Sequence, residues 1–219
     1  MTETEWLACT SPDPMLEFLR GRASDRKLRL FAVACCRRLW PLLVEEASRY
    51  VVELAEEFAE KQYRPLSLES AIRDNYAFLQ TINPYTATAV AVSAANAAGG
   101  EASWAAAWVT VSDARRAIHL SNNSDPFLEA KCQSKLLREI VGNPFRSPSI
   151  EPTWLYWCNR AVEGVAQAIH EERQFDDMPI LADALEDAGC DNTDILDHCR
   201  QPGPHVRGCW VLDLCLGKK

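Results

Sequence analysis

Met178-Pro179-Ile180-Leu181-Ala182-Asp183-Ala184-Leu185-Glu186-Asp187-Ala188-Gly189-Cys190 opens the stretch whose reading decides the fold. It continues through Asp191 to Arg200 and on to Gln201-Pro202-Gly203-Pro204-His205-Val206-Arg207-Gly208-Cys209-Trp210-Val211-Leu212-Asp213-Leu214-Cys215-Leu216-Gly217. Three short helices with explicit stops are written into it. Pro179 suits a first helical turn, where a missing N–H costs nothing. Ile180, Leu181, Ala184, Leu185 and Ala188 recur at helical spacing, and Gly189 is a left-handed stop. Asp191 or Asn192 caps a second helix whose buried side is Ile195, Leu196 and Cys199, and Pro202, Gly203 and Pro204 forbid its continuation. The last helix, Cys209 to Leu216, has Asp213 as its one charged residue. A helix apolar nearly all round is surrounded by protein, so this segment is expected inside the core.

Working outward, the same signals recur along the chain. Ser24 caps a helix from Asp25 to Trp40 whose middle, Leu30-Phe31-Ala32-Val33-Ala34-Cys35-Cys36, is apolar on every side and therefore central. Further helices are predicted over Pro14–Arg20, Glu45–Gln62, from Ser67 to the Asn83-Pro84 stop, Thr86–Ala98, Ala102–Leu120, from Asp125-Pro126 to Val141, and Trp154–Arg173. Residues 1–13 read as an irregular lead-in. No period-2 alternation of β-branched residues occurs anywhere. The expected fold is all-α, an irregular multi-helix bundle of about nine to ten helices or solenoid-like helix pairs. It forms a single domain over 1–219, with the Pro-rich 143–152 loop as the place for an internal subdivision.

Bulk properties narrow the function classes. An apolar content of 47% with seven Trp supplies a core, and a net charge of −8 argues against general polyanion binding. No basic-plus-apolar leader opens the chain. The weakly polar run Tyr85–Val111 is Ala-rich and interrupted by Asn96, Gly99, Gly100 and Glu101, which is no membrane span. Nine cysteines, an odd count without C-x-x-C spacing, point to free thiols in a reducing cytoplasm.

Several phrases form a recognisable set: Thr4-Glu5-Trp6-Leu7, Pro14-Met15-Leu16-Glu17-Phe18-Leu19-Arg20, Ser24-Asp25-Arg26-Lys27-Leu28-Arg29-Leu30-Phe31-Ala32, Gly142-Asn143-Pro144-Phe145-Arg146, and the C-terminal stretch above. They resemble an abundant family of uncharacterised bacterial proteins in which these phrases recur around a variable Ala-rich middle. The resemblance implies one shared architecture and no particular activity, cofactor or catalytic residue.

Three groups of residues carry candidate chemistry. Cys190, His198 or Cys199, His205 and Cys209 are a candidate zinc site, since zinc takes four N/S ligands and loops between short helices can supply them. His205-x-x-x-Cys209 suits one half of such a site. Cys190 and Cys199, with eight residues between them, suit the other half poorly, and adjacent His198 and Cys199 diverge by about 100° on a helix, so at most one faces inward. A plainer reading is buried thiols with surface imidazoles. Cys209 is also a candidate nucleophile, following Gly208 at a helix start near Arg207 and His205, although Trp210 and Val211 suggest burial.

The third group is basic. Arg20, Arg22, Arg26, Lys27, Arg29, Arg37 and Arg38 share nineteen residues with one acid, Asp25, whereas Glu171–Asp197 holds ten acids and one base. The basic run could grip phosphate or nucleic acid, or face the acidic half of the chain or a partner of opposite charge. No G-x-G-x-x-G, Walker A, H-E-x-x-H or G-x-S-x-G motif occurs, and no cofactor is expected, zinc being the one candidate. The expected role is a protein–protein interaction or scaffolding domain without catalysis. The alternatives are a zinc-stabilised nucleic-acid-binding or regulatory module, and a cysteine-dependent enzyme.

Overall fold

A computed structural model describes residues 1–100, 103–122, 125–146 and 148–218. Among them are thirteen α-helices, three short 3-10 turns and no strand. The chain divides into two compact units, Met1–Leu137 and Arg138–Lys219. The division falls inside a helix and not at the 143–152 loop, which lies within the second unit.

Unit 1 contains α1 (Glu3–Ala8), α2 (Pro12–Leu19), α3 (Asp25–Arg38), α4 (Glu46–Lys61), α5 (Leu66–Leu79), α6 (Ala87–Ala98), α7 (Ser103–Asn122) and the start of α8 (Pro126–Val141). α3 packs on α4, α6 and α7 at once, and α4 on α5 and α6. That many-sided packing is a bundle; solenoid pairs would touch only their neighbours. Leu30, Phe31, Cys35 and Cys36 of α3 are fully buried or nearly so, and the Ser24 hydroxyl caps the helix by accepting from the Lys27 N–H. The expected start of α7 at Ala102 lies outside the described residues.

Thirteen helices exceed the expected nine to ten, and two of the additions have local reasons. Residues 1–13 are not irregular: Thr2 and Glu5 form a reciprocal capping box that starts α1, and Trp6 is fully buried. The predicted Trp154–Arg173 helix is broken into α9 (Pro152–Tyr156) and α10 (Ala161–Glu172). Cys158, Asn159 and Arg160 are successively left-handed, with φ of 44°, 56° and 66°, and no Pro or Gly announces the break.

Unit 2 adds α11 (Met178–Asp187), α12 (Thr193–Arg200) and α13 (Trp210–Cys215). Gly189 ends α11 with φ of 92°, and the Asn192 side chain caps α12 by accepting from the Ile195 N–H. Leu181, Leu185, Ile195, Cys199, Val211, Leu212 and Cys215 share one apolar cluster with Val162, Ala166 and Ile169 of α10. The C-terminal helix is part of this core, as its composition requires. None of the described helices is long and apolar enough to cross a membrane.

Candidate metal centre

Four segments of unit 2 each bring one side chain to a common point: Glu139 from the last turn of α8, His198 from α12, His205 from the turn after it, and Cys209 from the N-cap of α13. Local chemistry sets each approach. Gly142 ends α8 in the left-handed region (φ 75°), returning its N–H to the Arg138 carbonyl at 2.9 Å. After α12 the Pro202-Gly203-Pro204 turn closes with the His205 N–H on the Gly203 carbonyl at 2.9 Å. Gly208, with φ of 92°, then redirects the chain so that Cys209 points inward.

The geometry is tight. Glu139 Oε1 lies 3.0 Å from His205 Nδ1, Glu139 Oε2 lies 3.3 Å from His198 Nε2, and that nitrogen lies 3.2 Å from Cys209 Sγ. All four ligand atoms fall within 4.8 Å of one another. The site is enclosed: Cys209 is 0% exposed, and the side chains of Glu139, His198 and His205 are 6%, 8% and 6% exposed.

Burial and charge act against each other here. Desolvation alone would raise the Glu139 carboxyl, but hydrogen bonds and charge from His198 and His205 outweigh it and hold the group at about 2. Burial alone would lower the His205 imidazole, and Glu139 more than reverses this, so it stays protonated to higher pH. Burial pushes the Cys209 thiol well up, with the Glu139 carboxylate adding to the effect.

A further layer holds the histidine rings. The Trp210 indole Nε1–H points at His198 Nδ1 from 3.0 Å, and the Gln201 side-chain amide lies 3.0 Å from the same atom. The Trp210 ring lies over Gly142, where a Cβ would come within 3.1 Å of it, so the glycine serves both the turn and the close approach. The Gln201 carbonyl faces the His205 ring and favours its protonated form, yet buried Nε2 has no fully formed hydrogen bond among the described residues.

The residues singled out from sequence divide. Cys209 and His205 meet, with His198 between them. Cys190 and Cys199 do not join them; both lie in the apolar cluster, where burial pushes Cys199 to about 12 and also raises Cys190. The expectation that only one of His198 and Cys199 faces inward is corrected, since both are buried on different sides of α12. Glu139 was not anticipated, because a lone Glu on an amphipathic helix carries no motif. As a free nucleophile Cys209 is poorly placed: the thiol is sealed, and Arg207 donates instead to the His170 carbonyl at 2.9 Å.

The basic N-terminal run is largely spoken for inside unit 1. Arg26 pairs with Glu60 (2.8 Å), Arg37 with Glu56 (2.9 Å), and Arg38 makes a forked pair with buried Glu129 (2.7–3.1 Å). Arg29 donates to the Ala98 and Gly100 carbonyls at the end of α6. Arg20 stacks over Trp104 and Arg22 over Phe18, at 4.5 and 4.7 Å, while Lys27 lies in the first turn of α3. The neutralising acids are thus on α4 and α8 of the same unit and not in Glu171–Asp197.

Sequence reading also passed over an open groove in unit 1. It encloses about 540 Å³ between α7 and the start of α8, with Arg115, Arg116 and His119 on one side and Phe127 on the other. Arg115 is anchored by a forked pair to Asp13 at 2.6 and 2.8 Å. Arg116, His119 and Phe127 are exposed, while Ala130 is buried. Comparison with protein-family models, with curated proteins and with solved structures returns no significant match for this chain.

Proposed function

We propose that this protein is a helical interaction module without a catalytic centre, and that it receives a partner segment in the α7–α8 groove of unit 1. One contrast carries the reading. Among the described residues, the group of His, Cys and acidic side chains close enough to share an ion is sealed from solvent, whereas the groove is open. A substrate has no route to chemistry that is enclosed on every side, so the accessible surface is where recognition occurs. Its lining combines cationic Arg116 with the apolar ring of Phe127, 55% exposed, which suits an acidic segment bearing an apolar side chain.

Panning a displayed peptide library against the full chain tests this. Acidic sequences with an aromatic or aliphatic anchor should be enriched, and both Arg116→Glu and Phe127→Ser should lower their retention at least tenfold. Equal retention by the wild type and both variants would remove the groove from consideration.

A further inference from the structure

We propose that Glu139, His198, His205 and Cys209 bind one zinc ion in a closed, four-protein-ligand centre that knits the end of α8 to α12 and α13. The inference is independent of the groove reading.

Donor chemistry selects the metal. Two imidazoles, one thiolate and one carboxylate form a mixed N/S/O set suited to zinc, whereas magnesium and calcium need shells of oxygen. Tetrahedral zinc with bonds of roughly 2.0–2.3 Å separates its ligand atoms by about 3.3–3.6 Å. His198 Nε2 and Cys209 Sγ, 3.2 Å apart, already stand near that spacing, and with one Glu139 oxygen as ligand all four atoms lie within 4.8 Å, so modest side-chain shifts complete the tetrahedron. One thiolate and one carboxylate also balance the ion's double charge, so the enclosed centre is neutral overall, as burial favours. Cys209 Sγ contributes as thiolate and gives its proton to solvent when the ion binds. Four protein ligands leave no place for a reactive water, which makes the centre structural and not hydrolytic.

The surrounding hydrogen bonds predict a signature that a bare cluster of polar residues would lack. An indole N–H only donates, so the Trp210 contact makes His198 Nδ1 an acceptor and, without metal, leaves the ring proton on Nε2. Zinc at Nε2 displaces that proton and requires Nδ1 to carry one. Gln201 can take the Nδ1–H through its side-chain oxygen once its amide turns over, and the Trp210 N–H then loses its acceptor. His205 would bind through Nδ1, releasing to solvent the proton it holds against Glu139 and leaving buried Nε2–H directed to the Gln201 carbonyl. Trp210 is therefore a built-in reporter of occupancy.

Elemental analysis of the full chain, expressed with zinc and passed through a weak chelator, should find one zinc per molecule. Its zinc K-edge absorption spectrum should show one sulfur and three nitrogen or oxygen neighbours. Cobalt exchanged into the protein should give tetrahedral visible bands with a thiolate charge-transfer band, absent in Cys209→Ser and retained in Cys199→Ala. His205→Gln and Glu139→Gln should each weaken zinc at least tenfold in chelator competition. On removal of metal, the indole N–H resonance lost in Trp210→Phe should move. The wild-type spectrum keeps the proposal testable even where a variant fails to fold. A wild-type protein with under a tenth of an equivalent of zinc, a coordination sphere without sulfur, or a charge-transfer band that follows Cys199 would overturn it. The groove variants Arg116→Glu and Phe127→Ser should keep their zinc, so failure of either reading is visible separately.

Discussion

Glu129 shows how a single residue is committed by its surroundings. Its side chain is 2% exposed, and the forked pair with Arg38 supplies its charged partner. Removing only the cation strands a carboxylate in the core, whereas replacing both charges with apolar groups removes the desolvation cost along with the attraction. Arg38→Ala should therefore destabilise the protein by about 3–5 kcal/mol, with Arg38→Met/Glu129→Met recovering most of that loss. Urea unfolding of the two variants beside the wild type reads the difference; a double variant as unstable as the single one would contradict the account. Seven clustered bases suggest an external patch when read in one dimension. The pairing with Glu56, Glu60 and Glu129 depends on acids 19 to 91 positions away, and no spacing rule reaches that far.

At the scale of elements, α6 and α7 illustrate packing by small side chains. Ala91, Ala94, Ala95 and Ala98 of α6 and Ala107, Ala114 and Ala117 of α7 are fully buried. The Thr110 hydroxyl donates to the Ala94 carbonyl at 3.3 Å, which requires a close approach of the two backbones. Alanine favours the helix by propensity and allows the approach by size. Ala94→Leu puts three extra carbons into that contact and should cost about 1–3 kcal/mol, measured as a lowered urea midpoint with unchanged helical circular dichroism. A midpoint equal to wild type would mean that the helices can separate freely there.

For the molecule as a whole, acid–base behaviour follows from the Glu139–His205 pair. The folded carboxyl, at about 2 against an ordinary 4.5, contributes stability that is complete above the ordinary value and is lost as pH falls toward 2. The folded imidazole, raised above its ordinary 6.5, contributes stability that is complete below that value and is lost as pH rises through the folded one. Chelator-treated protein should therefore resist urea best between about pH 4.5 and 6.5, with Glu139→Gln flattening both flanks of the profile. A wild-type profile no different from that of the variant would show that the pair adds nothing to stability.

What the amino-acid order determined by itself is the helical class, most helix ends and the buried C-terminal helix. These depend on near neighbours: caps such as Ser24 and Asn192, stops such as Gly142 and Gly189, and apolar spacing along one face. His205 and Cys209 were legible as candidate ligands for the same reason, being four residues apart around one turn. Only the tertiary structure decided that Glu139 completes their set, that Cys199 turns away beside His198, and that α3's bases face acids of their own unit. Those outcomes depend on which helices meet, and a contact between residues nineteen or more positions apart leaves no periodic mark on either one.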